Sequence, residues 1–213
     1  MKRIALIDYG SGNLHSAERA LLESATRVER DCEITVTADP TMVSLSDAIV
    51  LPGVGHFADC ANNLHSKDGL VEALGDAVIA GGKPFLGICV GMQLLADVGL
   101  EDGETPGLGW ISGNVSRIDP GAGFRIPHMG WNEILVARSH PILNSLGANP
   151  HVYFTHSYAF QVNSADHAAA MTTYGTQFIT AVARDNIFGT QFHPEKSQDV
   201  GLKILSNFLT WEP

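Results

Sequence analysis

Two hydrophobic patterns alternate through the first half of the chain. Short β-branched apolar runs recur at Ile4–Ile7, Ala48–Leu51 and Pro84–Ile88. Apolar runs of this length without polar alternation predict strands buried on both faces, as in a parallel sheet. Between them lie stretches with helical spacing. Leu14, Ala17, Ala20 and Leu21 form one stripe behind Asn13, which predicts an N-cap there. Leu70, Val71, Leu74, Val78 and Ile79 form another, closed by Gly81-Gly82. Alternating strand and helix predicts right-handed βαβ units, hence a parallel sheet with helices on both faces.

The second half reads differently. Strand-like runs at Trp110–Ile118, Glu133–Ala137, Val152–Val162, Ala168–Thr173, Phe178–Ala183 and Ile187–Phe192 are separated by Gly, Asn, Asp or Pro turns, and Arg184-Asp185-Asn186 reads as a hairpin turn. Asp199–Trp211 closes the chain as an amphipathic helix through Val200, Leu202, Ile204, Leu205 and Phe208. No internal repeat, low-complexity tract or long linker divides it. The expected fold class is α/β: a single domain over residues 1–213 with a mostly parallel mixed sheet flanked by helices.

Composition narrows the class. The 213 residues carry a formal charge of −10 and are 45% hydrophobic, enough to fill a core. An acidic surface disfavours nucleic acid and anionic lipid. The apolar run at Ile4 is broken by Asp8 and reads as a buried strand rather than a signal peptide. Cys32, Cys60 and Cys89 are odd in number and irregularly spaced, which is neither a disulfide framework nor a zinc pattern. A reducing, cytoplasmic setting is expected, with no metal and no cofactor.

The most informative segment runs Lys83-Pro84-Phe85-Leu86-Gly87-Ile88-Cys89-Val90-Gly91-Met92-Gln93. A buried strand enters Cys89 and a helix leaves it, with glycines two residues to either side. This G-x-C-x-G pattern is the cysteine analogue of the G-x-S-x-G nucleophile elbow, which tolerates no bulk at the flanking positions. The elbow exposes the sulfur at the carboxyl edge of the sheet, and the following helix N-terminus favours the thiolate. Cys32 and Cys60 lack such a setting.

A thiol nucleophile needs a general base that later protonates the leaving amine. Among nine histidines only His193 has an evident orienting partner, in Gln191-Phe192-His193-Pro194-Glu195. In extended chain, residues two apart share a face, so Glu195 can hold the imidazole tautomer as the acid of a triad does. Pro52-Gly53-Val54-Gly55 follows the Ala48–Leu51 strand at the same sheet edge. Its Val54 and Gly55 N–H groups, with that of Val90, are the expected oxyanion donors.

With these residues in hand, the chain resembles the class I (triad) glutamine amidotransferases, through G-I-C-x-G-M-Q and, about a hundred residues later, F-H-P-E. The likeness extends over nearly the whole chain and implies a flavodoxin-like core. Pro127-His128-Met129-Gly130-Trp131-Asn132 and Tyr153-Phe154-Thr155-His156-Ser157-Tyr158 are similar to the branch whose glutaminase is a separate subunit docked on a (β/α)₈-barrel cyclase. The resemblance implies that Cys89 forms a γ-glutamyl thioester and that His193, oriented by Glu195, moves the protons. Gly55, Gln93, His156, Ser157 and Tyr158 match positions that hold glutamine, and Glu101 falls near the family's carboxylate for the α-amino group. Asn13, Tyr153 and Lys196 match the docking face, which makes a heterodimer the expected assembly. Thr155 and Val90 depart from the commoner Val and Leu. Trp131 and Phe154 read as core. An amidotransferase of another pathway, an independent amidase or γ-glutamyl hydrolase, and a non-catalytic interaction module remain alternatives.

Overall fold

A computed structural model describes residues Met1–Pro213. The expected alternation holds in its first half: β1 (Lys2–Ile7), α1 (Leu14–Arg27), β2 (Cys32–Thr37), α2 (Pro40–Leu45), β3 (Ala48–Gly53), α3 (Phe57–His65), α4 (Leu70–Gly75), β4 (Phe85–Cys89) and α5 (Val90–Gln93). Asn13 caps α1, its Oδ1 accepting from the Ser16 N–H. β2, α2 and α3 went unread in the sequence. β2 is a half-buried edge strand, and α2 has only six residues, too few to repeat an apolar spacing. The Leu70–Ile79 stripe is not one regular helix: α4 passes into a π-helical stretch at Asp76–Ala80, which leaves Ile79 53% exposed.

The second half holds β5 (Val98–Gly99), β6 (Thr105–Pro106), β7 (Gly113–Arg117), β8 (His128–Glu133), β9 (Leu135–Val136), β10 (His151–His156), β11 (Tyr158–Val162), β12 (Ala168–Tyr174), β13 (Thr176–Arg184), β14 (Ile187–Thr190) and α6 (Gln198–Thr210). The run Val152–Val162 is broken at Ser157, and its halves join different sheets. Only Gly113–Arg117 of the run at Trp110–Ile118 is strand, and the run at Glu133–Ala137 is interrupted at Ile134. Apolar residues buried in loops mimic strands in a one-dimensional pattern.

The main sheet has eight strands in the order β2-β1-β3-β4-β14-β13-β12-β9. The first five pair in parallel, in the flavodoxin-like order, and the remaining pairings are antiparallel. The expected hairpin joins β13 to β14, with Arg184 opposite Ile187. A ribbon of β10 with β8 and a small sheet β11-β7-β5-β6 lie apart from this sheet. One cluster of 56 buried residues runs from Ile4 to Trp211, so sheet and helices share a single core. No helix is long and apolar enough to cross a membrane.

This topology places three neighbouring strand ends on one rim. Gly53 ends β3 opposite Cys89 at the end of β4, and Thr190 of β14 lies opposite Ile88. The backbones beneath them are in van der Waals contact. A Cβ on Gly87 would lie 2.6 Å from the Gly91 carbonyl oxygen, and one on Gly91 would overlap the Leu51 carbonyl. Gly75, by contrast, is right-handed helical with open space around it. We therefore predict opposite effects of the same added methyl. Gly75→Ala raises unfolding stability by about 0.4–1 kcal/mol, whereas Gly91→Ala lowers it by about 1–3 kcal/mol. Urea unfolding midpoints check this; shifts of the same sign would contradict it.

Candidate active site

The strand-to-helix turn at Cys89 has the strained geometry expected of an elbow. Cys89 sits at φ 55°, ψ −111°, a conformation seldom adopted by a residue with a side chain. Val90 opens α5, so its N–H lacks an intrahelical partner. One expectation is corrected: α5 spans only four residues, and so short a helix sums few peptide dipoles behind the sulfur. Stabilisation of a thiolate here must come from individual neighbouring groups.

His193 arrives three residues beyond β14 and is 1% exposed. Its Nδ1 lies 2.7 Å from Glu195 Oε1, itself sealed from solvent. Its backbone is clamped on both sides. The His193 N–H donates to the Tyr153 carbonyl at 3.0 Å, and Ser197 Oγ donates to the His193 carbonyl at 2.6 Å. Ser197 Oγ also accepts from the Tyr153 N–H at 3.0 Å, closing a ring of contacts. The remaining ring nitrogen, Nε2, is buried without a hydrogen-bond partner, and His193 and Cys89 line the same cleft. Burial works against charge on this imidazole, but the Cys89 sulfur and the Glu195 carboxylate outweigh it, raising its pKa to about 10. A proton held there is available to a leaving amine.

The cleft is about 480 Å³ and gathers most of the expected residues. Besides Cys89 and His193, Asn13, Val54, Gly55, Val90, Gln93, Glu101, His156, Ser157, Tyr158 and Lys196 line it. Glu195 stands behind His193 rather than in the cleft wall. Two residues have engagements not foreseen. The Val54 N–H faces Ser11 Oγ at 3.4 Å, and the same hydroxyl donates to the Val54 carbonyl at 2.7 Å. Glu101 Oε2 accepts from the Phe57 N–H at 2.9 Å, capping α3, while His56 Nδ1 accepts from the Ala58 N–H.

Tyr153 lies outside the cleft, on the ribbon beside it. Cross-strand pairing sets Tyr153 against Trp131 and Thr155 against Met129, so these four share one face of the ribbon, and Thr155 borders the cleft. Phe154 is fully buried, as its core reading requires, but Trp131 is 47% exposed and Met129 63% exposed. The core reading of Trp131 fails because β8 has only one face covered; an aromatic in a strand does not reveal which face it takes.

Sequence reasoning also missed the polar floor of the cleft. Tyr158 O accepts from His156 Nδ1 at 2.8 Å, which makes that nitrogen the protonated one. His156 Nε2 then accepts from His128 Nδ1 at 3.1 Å, and His128 Nε2 can accept from Asn132 at 3.4 Å. His128 is stacked between Phe154 and Tyr174. Burial lowers the pKa of both histidines to about 4, so both stay neutral. Gln191 was missed as well, although its position two residues before His193 was a usable signal; its amide lies 3.7 Å from the Cys89 sulfur.

Similarity to known proteins runs nearly the whole length of the chain. The family model for glutamine amidotransferase class-I matches residues 5–211. The chain is 49% identical over 210 residues to the imidazole glycerol phosphate synthase subunit HisH of Ruegeria pomeroyi, covering 98% of this chain and 99% of that one. It is 50% identical over 214 residues to the protein of the same name from Caulobacter vibrioides, covering all of both. Among solved structures, a glutamine amidotransferase superposes with a TM-score of 0.68 at 19% identity, covering 93% of this chain and 94% of that one. Another, from Thermotoga maritima, gives 0.61 at 15% identity, covering 91% and 76%. At such identity these two show the fold alone.

The neutral histidines predict an acid-sensitive fold. In the folded chain His128, His140 and His156 have pKa values lowered to about 4, whereas unfolded histidine takes up a proton near its ordinary 6.5. Their contribution is present above that ordinary value and is lost as pH falls toward 4. His193 has the opposite sign: its contribution is complete below 6.5 and disappears as pH rises through about 10. Urea unfolding should show stability falling between about pH 7 and about pH 5, with a shallower fall in His128→Gln and His156→Gln. A flat profile in the parent chain would contradict this.

Proposed function

The chain belongs to the class-I glutamine amidotransferase family, as a glutaminase subunit of imidazole glycerol phosphate synthase, and on that premise we propose which of its residues carry the reaction. The observation that carries the proposal is the buried His193–Glu195 pair facing the Cys89 cleft. The Cys89 thiolate attacks the side-chain amide carbon of glutamine. The developing oxyanion is met by the Val90 N–H and by the Val54–Gly55 turn. His193, protonated at Nε2, gives that proton to the amide nitrogen as the C–N bond breaks, releasing ammonia and leaving a γ-glutamyl thioester. A water then attacks the thioester carbon, passing its proton to His193 Nε2, and the C–S bond breaks to yield glutamate. Glu195 keeps Nδ1 protonated and the ring oriented throughout.

Substrate positioning follows from the cleft. Gly55, Gln93, His156, Ser157 and Tyr158 surround the space in front of the sulfur, and Glu101, with one oxygen held by Phe57, keeps the other for the substrate ammonium. The domain acts as a single unit over residues 1–213. Three free cysteines with no disulfide favour a reducing, cytoplasmic setting.

Ammonia passes to a separate partner subunit, a (β/α)₈-barrel cyclase that yields imidazole glycerol phosphate and an aminoimidazole carboxamide ribotide in histidine biosynthesis. Asn13, Tyr153 and Lys196 belong to the docking face of this heterodimer. The exposed Trp131 and Met129 beside Tyr153 support that assignment, since aromatic and Met side chains are enriched at interfaces. The contact also has a route to the chemistry, because the Tyr153 carbonyl accepts from the His193 N–H and the Tyr153 N–H reaches the His193 carbonyl through Ser197 Oγ. With the Val54 N–H held by Ser11, full oxyanion stabilisation requires the Pro52–Gly55 loop to turn, and docking supplies that turn.

Two expected outcomes test these roles. Cys89→Ala abolishes glutamine hydrolysis and labelling by a glutamine-like electrophile, and Glu195→Gln lowers kcat by about 10⁴-fold; a parent chain left unlabelled at Cys89 would favour an interaction-only role. Separately, the partner with its own substrate bound raises kcat, and Trp131→Ala or Lys196→Ala weakens the complex in a titration monitored by calorimetry. Equal kcat with and without the partner would remove the loop-turning claim.

A further inference from the structure

The buried amides beneath Cys89 form a chain whose direction is fixed from one end. Gln93 Nε2 donates to the Tyr158 carbonyl oxygen at 3.1 Å, and a carbonyl can only accept. The amide orientation of Gln93 is therefore set, and the other hydrogen of its Nε2 points at Gln191 Oε1, 3.0 Å away. That contact fixes Gln191 in turn: its oxygen faces Gln93, so its NH₂ faces Cys89 Sγ at 3.7 Å. Gln191 is fully buried and Gln93 nearly so. Flipping Gln93 would set its oxygen against two acceptor oxygens, and flipping Gln191 would set NH₂ against NH₂, each a cost comparable to leaving a buried group unsatisfied.

We propose that Gln191 is a further catalytic residue, an N–H donor to the Cys89 sulfur that the Tyr158 carbonyl, acting through Gln93, locks in the orientation favouring thiolate over thiol. A thiol has one weak donor hydrogen and an anionic sulfur has none, so a neighbour that can only donate selects the anion. The role matters here because α5 is too short to supply much dipole. Other groups with charge or a proton to give surround the sulfur without duplicating it. His193, backed by Glu195, approaches from beyond β14; the Tyr9 hydroxyl lies against Gly53, and the Cys60 thiol faces the Val54 carbonyl at 3.5 Å. His156, Glu101 and Lys196 line the same cleft. The lock has a second consequence: with both Nε2 hydrogens of Gln93 engaged, that side chain offers substrate only an acceptor oxygen.

This inference rests on Cys89 being the nucleophile. The test is the pH dependence of iodoacetamide alkylation at Cys89, followed by peptide mass spectrometry on the full chain, in parent, Gln191→Met and Gln191→Glu. Met fills similar space without a donor, and Glu presents oxygen to the sulfur. The alkylation midpoint should move up by about one pH unit in Gln191→Met, with about tenfold slower labelling below it, and further in Gln191→Glu. Coincident profiles for all three, with unchanged circular dichroism, would overturn the proposal. Should the variants not fold, ¹H–¹⁵N spectra of the parent chain decide it. The Gln191 side-chain amide should shift with the same midpoint as Cys89 alkylation, and an amide indifferent to that transition would overturn it. A Cys89 no more reactive than Cys32 in the parent would instead defeat the nucleophile assignment itself.

Discussion

The constraint on which the site depends is the contact between backbones at the rim of the parallel sheet. With Gly91 against the Leu51 carbonyl and Gly87 against the Gly91 carbonyl, the chain leaving β4 has no room to spread. Cys89 is held at positive φ as a result, with its sulfur turned out of the sheet. Neighbouring strand ends bring the rest: β3 delivers the Pro52–Gly55 turn, and the chain beyond β14 delivers Gln191 and His193. Strand order thus accomplishes what sequence distance hides, since Cys89 and His193 are far apart along the chain and line one cleft at the rim.

Much of this was legible in the sequence, for a specific reason. Elements buried on both faces, such as β1, β3 and β4, leave continuous apolar runs. Steric limits leave glycines, as at positions 87 and 91, and His193-Pro194-Glu195 shows its pairing through local spacing. What escaped were features set by only one neighbour. β2 lies at an edge and is half-buried; α2 is a short capped turn; Trp131 sits on a strand with one face uncovered. The length of the helix behind Cys89 could not be read either, because Leu94, Leu95 and Ala96 continue the apolar pattern after α5 has ended.

The polar groups around the cleft were the least legible, because their roles come from hydrogen bonds made across the fold. The Tyr158 carbonyl is the anchor: it determines which nitrogen of His156 is protonated and which way Gln93 faces. From His156 the order passes to His128, and from Gln93 to Gln191 and the sulfur. One backbone oxygen therefore orders a neutral histidine pair on one side and the Gln191 amide against the Cys89 sulfur on the other. Such networks are stable when every member has a partner, and they hold side chains in a single arrangement. The strand that carries His156, β10, also carries Tyr153, whose carbonyl accepts from the His193 N–H, so one short strand both lines the cleft and holds the backbone of His193.

The central claim is that Cys89 carries a covalent acyl group during turnover. Acid quenching of the chain while it hydrolyses glutamine, followed by intact-mass and peptide-mass analysis, tests it most directly. The account predicts a mass increase of one glutamyl group, located on Cys89 and discharged by hydroxylamine. Turnover at full rate with no adduct on Cys89, or with the adduct on Cys32 or Cys60, would contradict it.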